Sequence, residues 1–285
     1  MPSTQELTRR IKSIKSTRKI TRAMQMVSSA KMRKSQQVAM ASRTYAHLAW
    51  ELINNVRRSA RNHPLLQSHP HAKKVGIILV TTNRGLVGGF NSNLVKKLLN
   101  LQNEEPELIS ELIVIGRKGR ESASRMNKTI IADFPKHDTT IPAKEVYPII
   151  RMITDIYNSK EYKKVYIVYN HFVSMLSQEP KAKQLLPVVP KSEYQTLTIG
   201  SKVIFEPSPK DVLDHLLPRI LESQVYQAIL ESDASEHSAR MIMMKNATEA
   251  AGDLIDDLTL TFNQLRQSKI TTELSEITAG RIALE

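Results

Sequence analysis

RKITRAMQMVSSAKMRK, residues Arg18 to Lys34, contains no glycine, no proline and no acidic residue. Good helix formers dominate it, with cations recurring among methionines at helical spacing. Working outward, positions Ile20, Met24, Val27, Lys31, Lys34, Val38, Ala41, Tyr45, Leu48 and Leu52 alternate steps of four and three, and only two of the ten are charged. This spacing predicts a heptad seam. Near the other end, His237, Met241, Met244, Thr248, Ala251, Ile255, Leu258, Phe262 and Leu265 repeat the alternation. A 3.5-residue period kept over several heptads implies a left-handed supercoil with a partner helix, and the simplest partner for each stretch is the other. Proline is absent from residues 3–62 and from everything after Pro218. Both helices can therefore run far, to roughly 80 Å and roughly 95 Å at the helical rise per residue.

Charge supports the pairing. Residues 1–62 carry 14 Lys and Arg against 2 Asp and Glu, residues 63–209 carry 20 against 13, and residues 210–285 carry 7 against 13. A basic first third taken alone suggests nucleic acid or anionic lipid. The acidic last quarter offers it a partner within the chain. The absence of cysteine removes disulfides, thiolate nucleophiles and cysteine-ligated zinc. MPSTQELTRR lacks the apolar core of a signal peptide, and no segment approaches the ~20 apolar residues that span a bilayer. The expectation is a protein neither secreted nor embedded in a membrane.

Between the helices the texture changes. Val75 to Val80 is a continuous apolar run followed by a glycine-rich turn and a helix, SNLVKKLLNL, that Asn91 or Ser92 is placed to cap. Further runs, Leu112 to Gly116 and Val165 to Asn170, alternate with helical stretches such as KEVYPIIRMITDIYN. Strand alternating with helix predicts a small Rossmann-like parallel sheet with helices packed on it. LSQEPKAKQLLPVVP and LTIGSKVIFEPSP read as a hairpin, ending where Pro207 and Pro209 mark entry to the last helix. The expected fold is α/β: an antiparallel coiled coil of terminal helices, residues 1–62 and 210–285, with an α/β domain, residues 63–209, inserted between them.

Thr81 to Gly89, TTNRGLVGG, follows a strand and precedes a helix, where backbone amides can cradle phosphate. It matches neither GxGxxG nor GxxxxGK[ST], so its glycines are read as permitting a tight turn. Gly116 to Gly119 is read as a second strand-end turn of that kind. No histidine pair has HExxH spacing, and no nucleophile, base and oxyanion donors assemble. Neither a cofactor nor a metal is expected. Beyond Leu265, a mostly apolar tip including Ile270, Leu274, Ile277, Ile282 and Leu284 extends past the shorter first helix, as binding surfaces do. Glu273 and Glu276, at i and i+3, share one face of it.

Four segments carry a family resemblance: KITRAMQMVSSAKMRKSQ (Lys19–Gln36), TTNRGLVGGFNSNL (Thr81–Leu94), ASEHSARMIMMKNAT (Ala234–Thr248) and ITTELSEITAG (Ile270–Gly280). In this order, over nearly the whole chain, they resemble the gamma subunit of F-type ATP synthases of bacterial type. The resemblance implies a non-catalytic rotor shaft that couples proton- or sodium-driven rotation of a c-ring to conformational change in beta subunits. Implied partners are three alpha and three beta subunits, an epsilon subunit and the c-ring, with one copy per complex, peripheral to the cytoplasmic face of a bacterial membrane and without nucleic acid.

It also implies contacts with the surrounding stator by Arg9, Arg10, Lys15, Lys19, Arg22, Met24, Arg240, Arg266, Gln267, Ile270, Thr272, Glu273, Ser275 and Glu276. Asn83, Val87, Thr272 and Arg281 depart from residues usual in that family. Two other classes compete: a basic coiled coil that binds nucleic acid, which 5% aromatic content leaves without stacking platforms, and an enzyme built on the sheet.

Overall fold

Val75 to Val80 lie almost wholly out of contact with solvent on both faces of their strand, as a strand covered by helices on either side requires. In the computed structural model, which describes residues 3–56, 63–138, 141–189 and 208–282, this strand is β1 (Lys74–Val80), the centre of a five-stranded sheet. It is preceded by helix α1 (Thr4–Val56) and followed by α2 (Phe90–Glu104), β2 (Ile109–Ile115), α3 (Arg117–Arg125), β3 (Ile130–Phe134), α4 (Tyr147–Asn158), β4 (Tyr162–Phe172), β5 (Gln178–Leu186) and α5 (Pro209–Ile282). Strand order is β3-β2-β1-β4-β5, the first four parallel and β5 antiparallel to β4.

The chain divides into two compact units, Met1–Ser28 with Met241–Glu285, and Ser29–Arg240. In the second, Ile78, Val80, Ile113 and Ile167 face α4 and the part of α5 from Leu213 to Ile229. Ile77, Leu79, Leu112 and Val114 face α2 and Ala123 of α3. The sheet is thus the middle of three layers, each face burying branched aliphatic side chains.

In the first unit, α1 and α5 run antiparallel. Thr21 meets Thr248, Arg18 meets Gly252, and the first turns of α1 lie beside Phe262 to Glu273. Ser3 opens α1 as its cap, accepting the Glu6 N–H at 3.2 Å, and Ser208 does the same for Asp211 in α5, each satisfying an otherwise orphaned donor. The fold class agrees with the sequence reading.

Several local expectations are corrected. The seam of α1 is rotated by one residue: Leu7, Ser28, Met32, Ser35 and Ala39 are buried, whereas Ile20 and Val27 are 58% and 56% exposed. The seam of α5 keeps the expected positions, with Met244, Ala251 and Ile255 buried. Tyr45, Leu48 and Leu52 lie outside the described side chains, and Leu284 outside the described residues.

Gly89, not Asn91 or Ser92, is the N-cap of α2; Asn91 is held by Thr82 instead. Residues 117–119 open α3 and are not a loop. The partner of Gln178–Leu186 is β4, and the stretch LTIGSKVIFEP lies outside the described residues. β3 was not foreseen.

Candidate functional site

The glycine-rich turn after β1 is the first place to look for a ligand, because ligands of such sheets bind outside the carboxyl ends of the strands where the order reverses, here between β1 and β4. Thr81 closes it. Its Oγ1 accepts the Gly119 N–H at 2.8 Å, so a side chain of the protein occupies the place at the start of α3 where a phosphate would accept. A Cβ on Gly119 would meet Thr81 Oγ1 at 2.7 Å, and one on Gly116, whose φ is 99°, would meet Thr81 O at 2.7 Å. These glycines serve close packing.

The crevice itself holds α5. Ser235 donates to Asn170 O at 3.2 Å, and Ser238 to Met175 O at 2.6 Å. Beside them Lys136 Nζ lies 2.6 Å from Glu236 Oε2 and 3.0 Å from Asp233 Oδ1, the second contact lacking hydrogen-bond geometry. Arg240 donates to the other oxygen of Glu236 at 2.8 Å.

Burial sets the electrostatics here. It pushes the Asp233 carboxyl up to about 6 against the pull of Lys136. It also opposes ionisation of Glu236, but the Lys136 and Arg240 charges prevail and bring that group down to about 2. Burial lowers His237 to about 4, leaving it a neutral ring. On Lys136 burial works against the charge, yet the two carboxylates outweigh it and raise its pKa.

Two further histidines hold local structure. His63 accepts the Leu65 N–H and its other nitrogen pairs with Asp214 at 2.8 Å, and His69 stacks on Tyr157. His47 lies outside the described side chains. Among the described residues no group of His, Asp or Glu is arranged to hold a metal ion, and no helix is long and apolar enough to cross a membrane.

The residues expected to touch a stator fall into three groups. Arg9, Arg10, Lys15, Lys19 and Arg22 are exposed on α1, Arg10 held by Glu6 at 2.5 Å, and Met24 is half-buried. Arg266, Gln267, Ile270, Thr272, Glu273, Ser275 and Glu276 are exposed on the last turns of α5. Arg9, Arg266, Lys269 and Glu273 line an open groove of about 610 Å³ between the two helices. Arg240 stands apart, committed to Glu236 and only 11% exposed in its side chain. On the tip, the hydroxyls of Thr271, Thr272, Ser275 and Thr278 donate to backbone carbonyls one turn back in their own helix.

A family model described as ATP synthase matches residues 3–284. Curated ATP synthase gamma chains from Legionella pneumophila and Pelotomaculum thermopropionicum are 41% and 42% identical, each alignment covering all of both chains. The chain belongs to the ATP synthase gamma chain family. Among solved structures, a chain of the Euglena gracilis mitochondrial ATP synthase (OSCP/F1/c-ring, rotational state 3) has a TM-score of 0.67 at 19% identity, over 99% of this chain and 94% of that one. A chain of the Tetrahymena thermophila enzyme's central stalk and c-ring has a TM-score of 0.62 at 24% identity, over 80% and 99%. These share the fold.

Asn83 and Val87, which the resemblance marks as departures, have defined surroundings. Asn83 donates to Lys136 O at 2.6 Å and accepts the Arg117 N–H at 3.3 Å, a pair of roles that an ionised Asp cannot fill. Val87 is buried in the core beneath α2. Arg281 is exposed.

Sequence reasoning missed the cluster of Lys136, Asp233 and Glu236. Its carboxylates sit at i and i+3, Glu236 inside the Ala234–Thr248 segment and Asp233 just before it, but nothing near Lys136 in the sequence announces a partner about a hundred residues away.

Proposed function

We propose that this chain is the central rotor shaft of an F-type ATP synthase, itself without catalytic groups, present once per complex and peripheral to the cytoplasmic face of a bacterial membrane. Residues 1–62 and 210–285 form the shaft, which three alpha and three beta subunits surround. Residues 63–209 form the head, which meets an epsilon subunit and the c-ring. Rotation of that ring, driven by protons or sodium ions, turns the shaft and biases each beta subunit in sequence.

The observation that carries this reading is full-length identity of about two residues in five to gamma chains. The exposed surfaces of the first unit suit the task. A ligand shifts a conformational equilibrium only by its differential affinity for the states, so a shaft must touch each beta subunit differently at each angle. Exposed ion pairs each contribute about 0–1 kcal/mol. Arg9, Lys15, Lys19 and Arg22 can therefore engage acidic loops in turn and release them readily. No observation favours a nucleic-acid partner.

Co-expression with the alpha and beta subunits of the same organism, followed by size-exclusion chromatography and an ATPase assay, tests the assignment. A peak with one copy per three alpha-beta pairs, whose activity depends on this chain, is expected. A chain that elutes alone overturns it.

A further inference from the structure

Twelve consecutive residues of α5, Ala228 to Ala239, are buried. That is more than three turns with no solvent-facing side. A helix buried all round is ordinarily apolar all round. This one carries Glu231, Asp233, Glu236, three serines and His237, all less than 9% exposed. It is held by directed polar contacts as well as by packing: His171 Nδ1 lies 2.5 Å from Glu231, Ser235 and Ser238 bond carbonyls of the β4–β5 hairpin, and Lys136 reaches Asp233 and Glu236 together.

Lys136 is itself anchored on several sides. Asn83 donates to its carbonyl, Lys31 of α1 donates to Asp138 O at 2.9 Å, and Arg84 pairs with the Asp138 carboxylate at 3.0 Å. The short segment after β3 is thus fixed to α1 and to the turn after β1, while its one buried ammonium grips α5.

Buried ion pairs are weak evidence for stability, since apolar residues of similar shape often hold a fold as well; their best-attested use is to specify register. Packed helices slide and turn past one another at modest cost. A buried cation between carboxylates at i and i+3 does not permit this. Turning α5 by one residue rotates both acids away by about 100° and leaves buried charges unpaired.

We infer that Lys136, Asp233 and Glu236 form a torque lock, a set of positioning residues that keeps α5 from turning or slipping within the sheet domain. The inference rests on the shaft reading above. Under load, twist applied to the head passes into α5 through this lock and not by friction between aliphatic side chains.

The test uses the assembled complex in inverted membrane vesicles, with ATP hydrolysis and ATP-driven ion pumping measured side by side. The double variant Lys136→Met/Asp233→Asn removes one positive and one negative charge and leaves Glu236 paired with Arg240. Hydrolysis and thermal midpoint are expected to stay near those of the unaltered chain, while ions pumped per ATP fall several-fold. Lys136→Arg is expected to keep pumping. Full coupling in the double variant overturns the lock and leaves the shaft reading intact. Hydrolysis that does not depend on the chain at all overturns both. Should the double variant fail to assemble, Lys136→Gln, which still donates to Glu236, takes its place; coupling equal to the unaltered chain against an opposing ion gradient counts against the lock, and reduced coupling supports it.

Discussion

Thr248 Oγ1 lies 2.7 Å from Thr21 Oγ1 and 2.7 Å from Met244 O, and Thr21 donates to Arg18 O, so paired hydroxyls join two residues 227 positions apart. The pair lies on the seam of the two antiparallel helices, both residues half-buried. Replacing Thr248 with Val removes the bond and leaves a partly buried acceptor. A loss of about 1 kcal/mol is expected by urea unfolding, and the double variant Thr21→Val/Thr248→Val should recover part of it, because no polar group is then stranded.

The rotated seam yields a contrast. Ile20→Lys and Val27→Lys place charge on the exposed side of α1 and should change stability by no more than about 0.5 kcal/mol. Ser28→Lys forces an ammonium onto a position 3% exposed and should cost more than about 2 kcal/mol. Equal effects from the three variants would contradict the observed face.

Around α3 the expected outcomes for glycines diverge. Gly119→Ala puts a methyl 2.7 Å from both Thr81 Oγ1 and Val114 Cγ1 and should destabilise the sheet unit by about 1–3 kcal/mol. Gly85→Ala meets nothing within 4 Å and should be neutral or stabilising by up to about 1 kcal/mol. Thermal unfolding of each variant decides this.

Asp233 and His237 give opposed pH dependences. The Asp233 value rises on folding from 3.8 to about 6, so the native state binds the extra proton in that window and stability from this group falls as pH rises through it. The His237 value falls from 6.5 to about 4, so there the unfolded state binds the extra proton and stability rises with pH. The two largely cancel between pH 4 and 6. Asp233→Asn should expose the rising slope and His237→Gln the falling one, each at most about 1.4 kcal/mol per pH unit, one proton's worth. Glu236, lowered from 4.5 to about 2, contributes its full stabilisation above 4.5 and loses it progressively as pH falls from there through about 2. Urea midpoints measured from pH 4 to 7 check the two slopes.

Arg266 and Gln267 are exposed. Their joint replacement by Ala should leave the melting temperature of the chain unchanged and lower ATPase turnover of the assembled complex several-fold. Unaltered turnover would remove both from the contact surface.

The parts legible from sequence were those whose signal is local. β1, β2 and β4 announce themselves because burial on both faces demands continuous aliphatic runs, and α5 because its apolar seam is regular. β3 escaped: TIIADF is short and half-exposed, and Asp133, bound by Arg120, breaks the pattern. On α1 the apolar spacing pointed to the wrong face, since Ile20, Met26 and Val27 look outward while Leu7, Ser28, Met32, Ser35 and Ala39 are buried. Hydrophobicity therefore named the exposed face, not the buried one. Lys136 could not be placed at all, because an ion pair across a hundred residues leaves no trace in spacing.

The self-bonded hydroxyls at the end of α5 have one more consequence. A threonine whose proton is already given to its own helix shows a passing neighbour mainly its methyl group. Over Thr271, Thr272 and Thr278 that leaves nothing to ionise, little for salt to screen and few donors seeking a mate. A sleeve closed around these turns would meet methyl groups at the threonines, so any drag that responds to the ionic composition of the cell should come from Lys269, Glu273 and Glu276, exposed on the same turns.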